Sequence, residues 1–128
     1  MIIVRGDQLD FEPASHEDPA DPGVLKRVLA KKAHLIEGRV QMINWARIPQ
    51  GKSFQPHYHE DMQEVFIILN GEVELTAGDL TSQLSGGDAA LIEPREIHTM
   101  KNVCQQDVDF IALGISTESG GKTVCLPS

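Results

Sequence analysis

The 128-residue chain predicts one all-β domain of the sandwich or barrel kind. Three observations carry that expectation. After residue 39 no stretch keeps a helical period over ten residues, the apolar or alternating runs are short, and turn signals separate them at close intervals. A chain of this length buries a core without disulfide staples. Its 41% apolar and 23% charged residues exclude a disordered polymer, and no apolar run approaches the ~20 residues that span a bilayer.

Taken in order, the N-terminal MIIVRGDQLDFEP turns acidic too soon for a signal peptide. Residues 1–23 hold six of the 19 acids and one of the 11 bases, Arg5. With Pro13, Pro19 and Pro22 the stretch from Glu12 to Gly23 reads as an extended acidic arm, either a solvated leader or an interaction tail. The remaining 24–128 is the expected barrel domain. Val24–Lys31 reads as a strand or a short helical stretch, and Arg39–Ile48 runs into a loop at Pro49-Gln50-Gly51. Gln63–Leu69 is β-rich, Asn70-Gly71 gives a strong hairpin signal, and Glu72–Ala77 alternates as a half-buried return strand would. Turns at Ala77-Gly78-Asp79 and Ser85-Gly86-Gly87-Asp88 precede strand-like runs at Ala89–Ile92, His98–Val103 and Val108–Ile115.

The net charge of −8 argues against nucleic acid as a partner, because phosphate binding needs basic surface. Cys104 and Cys125 allow at most one internal bridge, too few for a disulfide scaffold. The expectation is a soluble, reduced, cytoplasmic protein.

Chemistry concentrates in three of the five histidines. His57 and His59 stand at i and i+2, so an extended backbone sends both imidazoles to one face. Glu64 follows at the head of a strand and His98 opens another. Three imidazoles and a carboxylate suit a divalent first-row metal, whether Mn, Fe, Ni, Cu or Zn. A His-x-His pair on a surface strand is also common without metal. His16, in the arm, is expected to be solvent-exposed, and His34 sits in a turn-like stretch.

Spacing adds to this. Gly51, five residues, His57-Tyr58-His59, four residues, Glu64, six residues and Gly71 follow one another, and Gly87, Pro94, His98 and Asn102 form a looser second series. The pattern resembles the two motifs of the cupin superfamily, and covers residues 51–102. That resemblance implies a double-stranded β-helix, jelly-roll-like barrel, with His57, His59, Glu64 and His98 as metal ligands. One position departs from the pattern: Arg95 stands where the family usually has glycine. It could pair with an anionic substrate or be a solvated turn residue. Alternation from the ligands adds Gln55, Phe66, Met100 and Asn102 as pocket candidates.

A divalent ion with one carboxylate would leave the site near +1, favouring anionic or oxygen-rich small molecules. The expected function is a metal-dependent oxygenase or a related lyase or isomerase. Glu64 would act as a ligand only or also as a base. The alternative is a non-catalytic module binding a small sugar-like ligand. A homodimer is expected through a sheet edge such as Val24–Lys31.

Overall fold

A computed structural model describes residues 1–118 and 122–127. The expected barrel span of 24–128 includes 119–121 and 128, which lie outside the described residues. Two antiparallel sheets form a jelly-roll sandwich. The six-stranded sheet runs β1 (Glu12–Pro13), β2 (Leu25–Lys31), β3 (Val40–Ile48), β10 (Val108–Ser116), β5 (Met62–Ile68) and β8 (Ala89–Ile92). The five-stranded sheet runs β11 (Thr123–Cys125), β4 (His57–His59), β9 (His98–Asn102), β6 (Glu72–Ala77) and β7 (Leu80–Ser85). Among the described residues the helical content is two 3-10 turns, Gly6–Gln8 and Lys32–His34, and no helix is long and apolar enough to cross a membrane.

Alternation explains how each strand sits. In β10 every second residue from Val108 to Ser116 is buried, and in β5 the buried set is Met62, Glu64, Phe66 and Ile68. A period of two on a pleated backbone gives one face to the interior. Ile48, Ile68, Val73, Val108 and Met100 are fully enclosed there, each aliphatic side chain contributing roughly 1.5–3 kcal/mol.

The hairpin expected at Asn70-Gly71 does not form. β5 pairs with β10 and β8, whereas β6 pairs with β7 and β9, so the chain changes sheets at this corner. The local sequence favours a tight turn, and side-chain bonding decides where the turn leads. Asn70 Nδ2 donates to Asp107 O at 3.0 Å, and Asn70 Oδ1 accepts from the Asp109 N–H at 2.8 Å. Gly71 has φ 74°, and a Cβ there would press into Val108 and Cys104. A two-residue hairpin forms instead at Gly78-Asp79, where Ala77 faces Leu80.

The N-terminal arm is also not a free leader. Glu12 and Pro13 pair with Lys26 and Leu25, and the Ala14 N–H donates to Val24 O at 3.2 Å. The Glu17 carboxylate accepts from Gly23 N–H (2.6 Å) and Gln55 N–H (2.9 Å), which folds residues 14–23 across one end of the sandwich. Three prolines exclude a helix, but they leave one well-placed carboxylate able to fasten a loop. On the sheet's outer face Arg47 makes a bidentate pair with Asp109 (2.7 and 3.0 Å), which also accepts from Trp45 Nε1. Phe11 lies against the guanidinium groups of both Arg27 and Arg47, so Arg47 is a packing residue. Both cysteines are free thiols.

Candidate metal centre

β4 sends His57 and His59 inward, and its neighbour β9 sets His98 directly across from His57. Glu64 enters from β5, in the facing sheet. One ligand atom from each of the four lies within 4.8 Å of all the others, and all four residues are buried. Glu64 Oε1 stands 3.1 Å from His59 Nε2 and 3.2 Å from His98 Nε2. The group therefore joins the two sheets.

The outer nitrogens are all held. His57 Nδ1 bonds Gln55 O at 2.8 Å, His98 Nδ1 bonds Glu96 O at 3.0 Å, and His59 Nδ1 lies 3.0 Å from Thr123 Oγ1. A carbonyl only accepts, so His57 and His98 carry their proton on Nδ1 and present a bare Nε2. At His98 that lone pair faces a carboxylate oxygen. The contact is repulsive unless a proton or a metal ion supplies positive charge between them. Outer carbonyls that orient inner imidazole nitrogens are the support a metal site needs. The donor set thus fits a divalent ion.

Electrostatics point the same way. Burial, reinforced by the His98 charge, lowers the His57 pKa to about 3 against the opposing Gln55 hydrogen bond, so its imidazole is neutral at pH 7. Burial alone would raise Glu64, but with a proton on the facing imidazole nitrogens the hydrogen bonds from His59 and His98 outweigh it and bring the carboxyl down to about 2. Glu64 is therefore ionised, giving three imidazoles around one carboxylate.

Of the four, His57, His59 and Glu64 line a cavity of about 280 Å³, with His98 behind them. Of the pocket residues expected from alternation, Phe66 lines it. Gln55, Arg95, Met100 and Asn102 do not. Gln55 turns to Leu126 O with its Nε2, fastening the C-terminal strand. Met100 is enclosed in the core. Asn102 shares the His98 face but is spent on backbone, donating to Ile48 O and Gln106 O and accepting from Cys104 N–H. Arg95 is exposed at φ 68°, with its N–H donating to His59 O, which explains why a glycine suits this position.

Other cavity residues were not foreseen. His16, expected in solvent, packs its ring 4.3 Å from that of His57 because the arm folds inward. Lys26, Gln41, Asn44 and Thr123 also line the space. Alternation along β2 and β3 marks Lys26 and Asn44 as one face, but nothing local says which strands face the histidines.

A family model for the cupin domain matches residues 44–114, over half of the chain and all four residues of the cluster. The chain belongs to the cupin family. The H2HPP isomerase of Bacillus subtilis is 30% identical to this cupin over 81 residues, which are 62% of the chain and 33% of that protein. This cupin therefore spans about one third of that relative's length. The oxalate-binding protein of Thermotoga maritima is 25% identical over 113 residues, 88% of this cupin and 92% of the relative. The crystal structure of a predicted oxalate decarboxylase from Thermotoga maritima superposes with a TM-score of 0.80 at 24% identity, covering 90% of this cupin and 99% of that chain. At that identity the superposition establishes the fold alone.

Proposed function

We propose that this cupin is a metal-dependent enzyme, an isomerase or lyase or an oxygenase, acting on a small anionic or oxygen-rich metabolite. The observation that carries the reading is the convergence of three imidazoles and one carboxylate in a buried cluster, three of whose members, His57, His59 and Glu64, line a small cavity. The kinship with an isomerase and with an oxalate-binding protein supports a small oxygen-rich ligand. His57, His59, Glu64 and His98 would hold one divalent ion of the Mn, Fe, Ni, Cu or Zn group. When bound, such an ion supplies Lewis-acid or redox chemistry to an oxygen of the substrate.

The chain's own residues do the rest. The carbonyls of Gln55 and Glu96 keep two imidazoles in the tautomer that ligates. Phe66 and the folded-in arm line the space beside the cluster, and each polar group they keep from water strengthens the electrostatic contacts there. Glu64 lines the cavity, and as an ionised carboxylate it could also accept a substrate proton. A binding protein without turnover is the second reading, favoured by the oxalate-binding relative. The cytoplasm is the proposed location. A homodimer is proposed through β2, where pairing with β1 covers Leu25 and Lys26 and, among the described residues, no strand pairs the rest of that edge.

The test is elemental analysis of untagged protein, wild type beside His59→Ala, followed by substrate turnover. About one equivalent of metal in wild type, lost in the variant, supports the centre. Oxygen uptake with enolisable diketones or catechols marks an oxygenase, and oxygen-independent conversion marks an isomerase or lyase. Oxalate binding without conversion of any substrate would favour the binding protein. A wild type that neither contains nor takes up metal would sink the whole reading.

A further inference from the structure

The cavity wall opposite the histidines carries polar groups that metal binding does not use. On the inner face of the six-stranded sheet the register sets Glu64, Gly114 and Met42 in one row. Phe66, Ala112, Asn44 and Val28 form the next row, and Ile68, Phe110, Ala46 and Lys26 the third. Glu64 and Lys26 stand at opposite corners, three strand spacings (about 14 Å) apart across the sheet and four residues (about 13 Å) apart along it. Ala112 and Ala46 keep the space between them open, because their methyls leave the cavity unfilled.

Two features of the far wall call for a ligand. Asn44 Oδ1 is buried without a hydrogen-bond partner among the described residues. A buried amide oxygen left unpaired is unfavourable, and as an acceptor it needs a hydroxyl or N–H. Lys26 is the only lysine or arginine among the described residues that line the cavity. No ion pair is found for it among the described residues, and Glu12, across from it on β1, is exposed. In a chain of net charge −8, a lysine lining the cavity of a candidate metal site is a local reversal of sign.

We propose that Lys26 and Asn44 form a second ligand-recognition site in the cavity. It reads the end of the metabolite remote from the metal. Lys26 takes an anionic group, carboxylate or phosphate, and Asn44 Oδ1 accepts from a ligand hydroxyl. This inference rests on the metal reading above, since the four-residue cluster must hold the other end. The ligand class is then a small hydroxylated acid charged at both ends, and Lys26 and Asn44 determine specificity rather than touch the reacting atoms.

The experiment is calorimetric titration of the protein as purified, with its metal content measured in parallel, using matched probes. 2-Oxoglutarate against 2-oxovalerate isolates a distal carboxylate, 3-phosphoglycerate against glycerate a distal phosphate, and glycerate against lactate a distal hydroxyl. Wild type should favour at least one distal-anion probe, and glycerate over lactate, by about tenfold each. Lys26→Met should abolish the anion preference and Lys26→Arg should keep it, while Asn44→Leu should abolish only the hydroxyl preference. Metal content and melting temperature should stay at wild-type values in all three variants, which separates loss of recognition from loss of fold. A gain with only one kind of anion identifies carboxylate or phosphate as the partner of Lys26.

Equal affinities within the pairs for metal-loaded wild type would overturn this inference and leave the metal reading standing. So would an anion preference that survives Lys26→Met. A metal-free wild type that retains the Lys26-dependent preference would overturn the metal reading and keep the recognition site. Metal-free protein that binds none of the probes would overturn both.

Discussion

Lowering the pH of chelator-treated protein should destabilise it in a window set by His57. In the folded chain its pKa is about 3, chiefly because burial disfavours the charged ring, against an ordinary value of 6.5. Between those values the unfolded chain binds a proton that the folded chain refuses, so stability is full above pH 6.5 and falls as the pH falls. One such group changes stability by up to about 1.4 kcal/mol per pH unit, or about 2.3 kcal/mol from pH 6.5 to 4.5. For a domain this size that is about 10 °C in melting temperature. His16, lowered mainly by burial beside His57, acts in the same direction. Glu64, held down at about 2 against 4.5, adds its loss only below pH 4.5, so the upper window belongs to histidine. The assay is urea denaturation of chelator-treated protein at half-unit pH steps, wild type beside His57→Gln. Flat stability from pH 6.5 to 4.5, or a slope unchanged by His57→Gln, would refute the reasoning.

Three other perturbations have defined outcomes. Ala112→Leu places a larger side chain in the cavity, so calorimetric binding of whichever small-acid probe the wild type takes best should weaken at least tenfold, with metal content unchanged and stability within about 1.5 kcal/mol. Asn70→Ala removes both side-chain bonds at the sheet-switching corner and should lower urea-unfolding stability by about 1–2 kcal/mol. Arg95 has φ 68°, so Arg95→Gly should be neutral or slightly stabilising by thermal melt, whereas Arg95→Val should cost about 1–2 kcal/mol.

The metal cluster was legible because its signal is local. His57-x-His59 needs only an extended backbone to face both rings one way, and β4 provides it. The fold class was legible for a similar reason, since period-two alternation in runs such as Glu72–Ala77 is a property of the strand itself. Pocket membership was less so. Alternation correctly put Asn102 on the face of His98, yet its amide is consumed by the carbonyls of Ile48 and Gln106, distant and near in sequence, which no periodicity reveals.

The sequence by itself, with the motif resemblance, pointed to the four residues that could hold a metal, to the runs that are strands, and to Arg95 at a position where glycine is usual. Only the tertiary structure decided the rest. It sent the chain from one sheet to the other at Asn70-Gly71, folded the acidic arm so that His16 lies on His57, and set Lys26 and Asn44 across the cavity from the cluster. The physical reason is range. Strand character and side-chain facing come from sterics within a few residues, whereas sheet order and the identity of a facing wall come from pairings such as Asn44 with Ala112 and Ala112 with Phe66, between segments far apart in the chain.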